Sequence, residues 1–212
     1  MYIDFAKIDP QEQNKLLVST ITPRPIAWVV SQSLQGNVNA APYSFFNVFS
    51  GDPPIIGIGM GSHQDGRPKD SRINIERTGE FVINLVTEDN AEAMNVTAIE
   101  FDYDVDELAQ AGLATIPSIH VKPPRIAESP VAFECKLVQI VELGPLSGLV
   151  LGRVVAMHIW DEAIIDATKH HVDTTKLKLI GRMHRPGWYA KTSDLFRMDR
   201  ISLAQWRTEH GE

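Results

Sequence analysis

The apolar and polar positions fall into short runs, most of which read as strands. "IAWVVSQ" (26–32) predicts a strand, and "LQGN" (34–37) its turn, with Gly36-Asn37 suited to a hairpin. "VNAAPYSFFNVFS" (38–50) predicts one or two further strands. "IIGIGMGS" (55–62), apolar with interspersed glycines, predicts a buried strand that other backbone approaches closely. "FVINLV" (81–86) is a short buried strand. Later, "AFECKLVQIVEL" (132–143) alternates, its phase blurring around Val138, and "GLVLGRVVAMHIW" (148–160) is a long apolar strand with Gly152 inside. "LIGRMHRPGWYAKT" (179–192) closes the fold ahead of a polar tail.

Helical signals are short. Asp9, Pro10 and Glu12 form a capping box that opens a first helix. "KDSRINIERTGE" predicts a second, capped by Asp70 or Ser71 and stopped at Gly79. Thr87 with two following acids starts a third, and Asp104 caps a fourth that has Glu107 at its third position and ends at Gly112. Residues 117–130, with four prolines, form an irregular connection, and 161–178 is a polar surface excursion. Many strands with few helices predict a mainly β barrel with short helical additions, not a doubly wound parallel sheet. No repeat, low-complexity tract or linker divides the chain, so 1–212 reads as a single domain.

Composition narrows the classes. A chain of 212 residues with 43% hydrophobic and 22% charged residues buries a core of its own. The net charge of −7 argues against broad contact with nucleic-acid phosphates. Cys135, the single cysteine, forbids an intrachain disulfide and fits a reducing compartment. The N-terminus lacks an apolar signal region, and no apolar run reaches the roughly 20 residues that span a bilayer. Both point to a cytoplasmic protein with no membrane partner.

Four constellations bear on chemistry. Gly57-x-Gly59-x-Gly61 is not the dinucleotide fingerprint, because Ser62 takes the place of the third glycine; close barrel packing explains it better. In "SHQDGRPKDSRIN" (62–74), Arg67 and Lys69 flank a helix start with Ser62 and Ser71 nearby. That suits one small anion, although a solvated loop with an ordinary cap explains the same residues. The seven histidines show no metal-ligand spacing, so no metal site is expected. Tyr43, Phe45, Phe46 and Phe49 crowd one segment beside Asn39 and Ser44. Core packing accounts for most such clusters, but apolar walls with a few polar groups also describe a cofactor pocket.

In that order, "TPRPIAWVVS", "NAAPYSFFNVFSGDPPIIGIGM", "KDSRINIERTGEFVINLV", "LVLGRVVAMHI" and "GRMHRPGWYAKT" resemble the flavin reductase-like, FMN-binding split-barrel family, from about Thr22 to Thr192. The resemblance implies a split β-barrel, usually homodimeric, with FMN near the subunit interface. It implies that Asn39, Ala41, Pro42, Tyr43, Ser44 and Phe45 line the isoalloxazine. Ser62, Arg67, Lys69 and Ser71 would hold the phosphate, with Asn74 as a helper, and Arg24 would reach the cofactor. Gly181, Arg182 and Tyr189 belong to a block that closes over the flavin. The implied activity is hydride transfer between NAD(P)H and flavin or a small-molecule substrate. Two-component flavin reductases often carry a histidine before the long strand, where this chain has Ser147 and Gly148. His184 and Arg185 are candidates for the substrate site. A flavin carrier without turnover, or a split barrel holding heme or pyridoxal phosphate, are the alternatives, with His63, His158 and His184 as candidate heme ligands.

Overall fold

The computed structural model describes residues 1–63, 65–184 and 186–210. Helix α1 (Pro10–Thr20) leads into strands β1 (Ala27–Gln32), β2 (Val38–Tyr43), β3 (Phe46–Gly51) and β4 (Pro54–Gly61). Helix α2 (Asp70–Thr78), strand β5 (Glu80–Asn84) and helices α3 (Ala91–Val96) and α4 (Glu107–Gln110) follow. A small hairpin, β6 (Thr115–Ile116) and β7 (Arg125–Ile126), precedes the long strands β8 (Val131–Gly144) and β9 (Ser147–Ile159). Two more small hairpins complete the β-structure: β10 (Ile164–Asp166) with β11 (His171–Val172), and β12 (Ile180–Arg182) with β13 (Tyr189–Lys191). Helix α5 (Leu203–His210) occupies the expected polar tail and buries no residue.

Seven strands form one antiparallel sheet in the order β2-β1-β5-β8-β9-β4-β3. Strands β2 and β3 lie at opposite edges, yet only Ser44 and Phe45 separate them in the chain. The three Cα–Cα steps from Tyr43 to Phe46 reach no more than about 11 Å, so the sheet must curl until its edges meet at this junction. There Gly59 donates its N–H to the Phe45 carbonyl at 2.7 Å. The edges are joined by chain and not by a ladder, which makes the fold a split barrel.

The continuous apolar run of β1 is explained by burial on both faces. Trp28 and Val30 pack with Val82, Met94 and Leu108 on the side covered by α3 and α4. Ala27 and Val29 point into the barrel with Ile58, Phe81, Ile83 and Val150. Gly57 and Gly59 of β4 and Gly152 of β9 sit against aromatic side chains, as expected from close approach. A Cβ on Gly57 would stand 2.5 Å from the Phe49 ring, one on Gly59 2.9 Å from Phe45 Cβ, and one on Gly152 2.4 Å from Phe81. Phe45 and Phe49 therefore cover bare backbone on the neighbouring strand, which accounts for half of the ring-rich segment. The blurred phase at Val138 coincides with a register shift between Leu137 and Gln139.

The helix starts differ from expectation. Lys69, not Asp70 or Ser71, occupies the cap position of α2; its ammonium has no acceptor to offer the first N–H groups, and the Ser71 hydroxyl turns inward to Asn39. Helix α3 begins at Ala91, since Thr87 and Asn90 first bond each other's backbone N–H in a closed turn. Asp106 caps α4 instead of Asp104, accepting from the N–H groups of Leu108 and Ala109. Glu107 is thereby freed to point into the protein.

Candidate functional site

A cleft runs along the open edge of β2, between that strand and the segment joining α3 to α4. It has two compartments of about 120 and 210 Å³, and Pro42, Tyr43 and Ala98 line both. Asn39, Ala41, Lys69, Ser71, His63 and Glu100 line one end. Ser44, Met94, Arg182 and Tyr189 line the other. Neither compartment alone matches the roughly 300 Å³ of a small cofactor site, whereas the two in series reach that range.

The floor is a buried polar network. Asn39 Nδ2 donates to Glu107 Oε1 at 2.6 Å, and the Ala40 N–H donates to Oε2 at 2.9 Å. Asn39 Oδ1 accepts from the Ser71 hydroxyl at 2.8 Å. Asn74 Nδ2 donates to the Ser31 hydroxyl at 3.2 Å and its Oδ1 accepts from Tyr103 at 2.9 Å. This network ties β2 to α2 and α4, so the cleft wall is held before any ligand arrives. Burial raises the Glu107 acid above the ordinary carboxylate range, against the lowering effect of its N–H partners. Burial also pushes the Tyr43 phenol up to about 12, so it stays neutral at any physiological pH.

At one end, Lys69 Nζ donates to Glu100 Oε1, and His63 Nδ1 stands 3.6 Å from Glu100 Oε2 and 3.4 Å from Lys69 Nζ. The start of α2 has no side-chain cap here, and Asp70 lines the same compartment. At the other end, the Arg182 guanidinium lies 4.7 Å from the centre of the Tyr189 ring, its cross-strand partner. Arg24 and Arg182 exchange backbone bonds at 2.9 and 2.8 Å, docking the β12–β13 hairpin beside the cleft.

Of the residues singled out in the sequence, Asn39, Ala41, Pro42, Tyr43, Ser44, Lys69, Ser71, Arg182 and Tyr189 come together in the cleft. The others lie elsewhere. Asn74 is buried behind the floor. Arg67 is largely exposed and pairs with Asp65 at 2.7 Å, which raises its own pKa and lowers that of the acid. Ser62 bridges to Pro68 across the same loop. Arg24 is a buried brace, donating to the carbonyls of Val18, Ile21 and Met183 at 2.6 to 2.8 Å, its pKa lowered by burial and by Arg182. Phe45 lies on the outer side over Gly59, in an apolar groove shared with Phe49 and Leu149. His184 stacks on Trp188 at the hairpin turn, outside both compartments, and Arg185 falls outside the described residues.

The wall from Thr97 to Phe101, with Glu100, and the placement of His63 had no signal in spacing; only the fold brings them to β2. His158 Nε2 is engaged by Glu134 at 2.7 Å, far in character from an open ligand position. No helix among the described residues is long and apolar enough to cross a membrane.

The family model for the flavin reductase like domain matches residues 18–173. A protein of Deinococcus radiodurans is 38% identical over 212 residues, covering 98% of this chain and 93% of its own. Two solved structures superpose with a TM-score of 0.87. One is nitrilotriacetate monooxygenase component B from Bacillus cereus, 31% identical, covering 93% of this chain and 98% of that one. The other is 2-nitrobenzoate 2-nitroreductase NbaA from Pseudomonas fluorescens, 32% identical, covering 96% of this chain and 98% of that one. These relatives support a flavin-related oxidoreductase. With the curled seven-stranded sheet, they establish that the chain belongs to the flavin reductase-like family.

Proposed function

We propose that the cleft binds FMN and that the chain is an FMN-dependent oxidoreductase. The observation that carries this reading is the polarity of the cleft along its length. Lys69 and His63 lie beside the uncapped start of α2 at one end, and a Tyr189–Arg182 platform faces Ser44 at the other. A phosphate suits the first end, where an ammonium and free helix N–H groups converge. A flat heteroaromatic ring suits the second, bounded by the Tyr189 ring, Pro42 and the Tyr43 side chain. The donor set therefore fits a flavin mononucleotide.

A bound flavin supplies the hydride chemistry, and the chain supplies binding, orientation and electrostatics. Lys69 anchors the phosphate, and Pro42 to Ser44 form the ring wall. The Glu107 network keeps that wall rigid, and Arg182 offers positive charge beside the ring. None of these residues has to move a proton, which is consistent with hydride exchange with NAD(P)H or a small organic substrate. Quenching of flavin fluorescence on titration with the protein tests the binding, with saturation at one FMN per chain expected. Oxidation of NADH or NADPH with FMN present then tests turnover. Absence of FMN binding refutes the proposal, while binding without turnover on any hydride donor supports a carrier role instead.

A homodimer accompanies this reading. Phe45, Phe49 and Leu143 are each more than half exposed, at 53, 60 and 62%, around one apolar groove near the ring end of the cleft. A second copy would cover that surface. Light scattering at micromolar concentration should give twice the 23.6 kDa chain mass, and a monomer would contradict it.

A further inference from the structure

We propose that Glu100 is a built-in competitor for the phosphate seat, and that it sets how tightly the protein holds a phosphorylated flavin. The inference rests on reading the Lys69 end of the cleft as that seat. One carboxylate spans the Lys69 ammonium and the His63 ring there: Oε1 accepts from Lys69 Nζ, and Oε2 stands 3.6 Å from His63 Nδ1. A phosphoryl group at this end needs the same two partners.

Exposure separates the roles. The side chains of Lys69 and His63 are 27 and 16% exposed and belong to the seat, whereas Glu100 is 59% exposed and reaches in from solvent. The segment that carries it is tied by side-chain bonds three residues to either side. Thr97 Oγ1 accepts from the Trp28 indole at 2.9 Å, and the Tyr103 hydroxyl donates to Asn74 at 2.9 Å. Exchange of Glu100 for a phosphate therefore requires rotation of one exposed side chain and no movement of the segment.

Two carboxylates already face the cationic end: Glu100 and Asp70 line it with Lys69 and His63, while Glu107 is committed to Asn39 and Ala40. Its hydrogen bond from Lys69 holds the Glu100 acid below the usual carboxylate range, so it is ionised at neutral pH. A phosphate that enters must displace this carboxylate or sit against it, and either event weakens binding. The consequence is a flavin that exchanges, a property suited to a protein that hands reduced flavin on.

Fluorescence-quenching titrations with FMN and riboflavin on the wild type, Glu100→Gln and Lys69→Met test the idea. Glu100→Gln keeps the shape and removes the charge, and it should bind FMN about threefold tighter, the scale of an exposed ion pair. Its riboflavin affinity should not change, because riboflavin lacks the phosphate. Unchanged or weaker FMN binding in Glu100→Gln overturns the inference, as does an equal gain for riboflavin. Lys69→Met should lose FMN affinity and spare riboflavin. If it does so while Glu100→Gln gains nothing, only the role of Glu100 fails. If Lys69→Met treats both flavins alike, the phosphate reading fails and the competitor role falls with it.

Discussion

Glu107 offers the sharpest test of how the cleft is held. Its carboxylate accepts from Asn39 Nδ2 at 2.6 Å and from the Ala40 N–H at 2.9 Å, and all three residues are buried. Glu107→Ala leaves two buried donors without an acceptor, each costing about 1–3 kcal/mol. The variant also escapes the cost of burying a carboxylate, the cost that raises the wild-type acid. A net loss of about 2–4 kcal/mol is expected, or roughly 5–15 °C in melting temperature for a chain of this size. Urea unfolding should show a lower midpoint with an unchanged slope. Glu107→Gln keeps one oxygen for one donor and should lose about half as much.

The pH dependence of this effect has a definite sign. Folding raises the Glu107 pKa, so the folded chain holds that proton more tightly than the unfolded chain. The associated stability is fully present below the ordinary carboxylate value and is lost as pH rises through the raised folded value. The gap between wild type and Glu107→Gln should therefore be widest in acid and narrow toward neutrality. A loss below about 1 kcal/mol for Glu107→Ala would refute the account of the floor.

Three other outcomes follow from the packing. Gly152→Ala places a methyl group 2.4 Å from the buried Phe81 ring and should cost about 1–3 kcal/mol in urea unfolding, partly restored by adding Phe81→Leu. Glu134 is buried, which alone would raise its pKa, but N–H bonds from Ile119 and His120 and contact with His158 leave it lowered. Its contribution should be present above the ordinary carboxylate value and lost as pH falls through the lowered one, and Glu134→Ala should cost about 3–5 kcal/mol at pH 7. Burial raises the Cys135 thiol far above its ordinary value, so it should react with a thiol reagent only in denaturant; rapid labelling of the native protein would contradict that packing.

Much of the barrel was legible in the sequence because strand burial leaves a direct trace. The unbroken run of β1 reflects two buried faces, and the glycines of β4 mark where Phe45 and Phe49 lie on backbone. The blurred alternation at Val138 reports a bulge. Helix starts were less legible, since the Ser71 and Glu107 side chains are drawn into tertiary bonds and Thr87 closes a local turn with Asn90 ahead of the helix. Within the cleft, the β2 residues and Lys69 stood out by their neighbours in sequence. Glu100 and His63 did not, because their meeting depends on how the segment after α3 crosses the start of α2. Arg67 carries the right charge on the right loop, but Asp65, two residues away, draws it outward.

The central claim is that one cleft holds the two ends of FMN, with phosphate at Lys69 and ring along Pro42 to Ser44. A crystal structure of the protein soaked with FMN tests it most directly. Phosphate oxygens should lie within hydrogen-bond distance of Lys69 Nζ and the first N–H groups of α2, with the ring between β2 and the Tyr189–Arg182 pair. FMN bound with its phosphate elsewhere, or with its ring in the outer groove over Phe45 and Phe49, would contradict it.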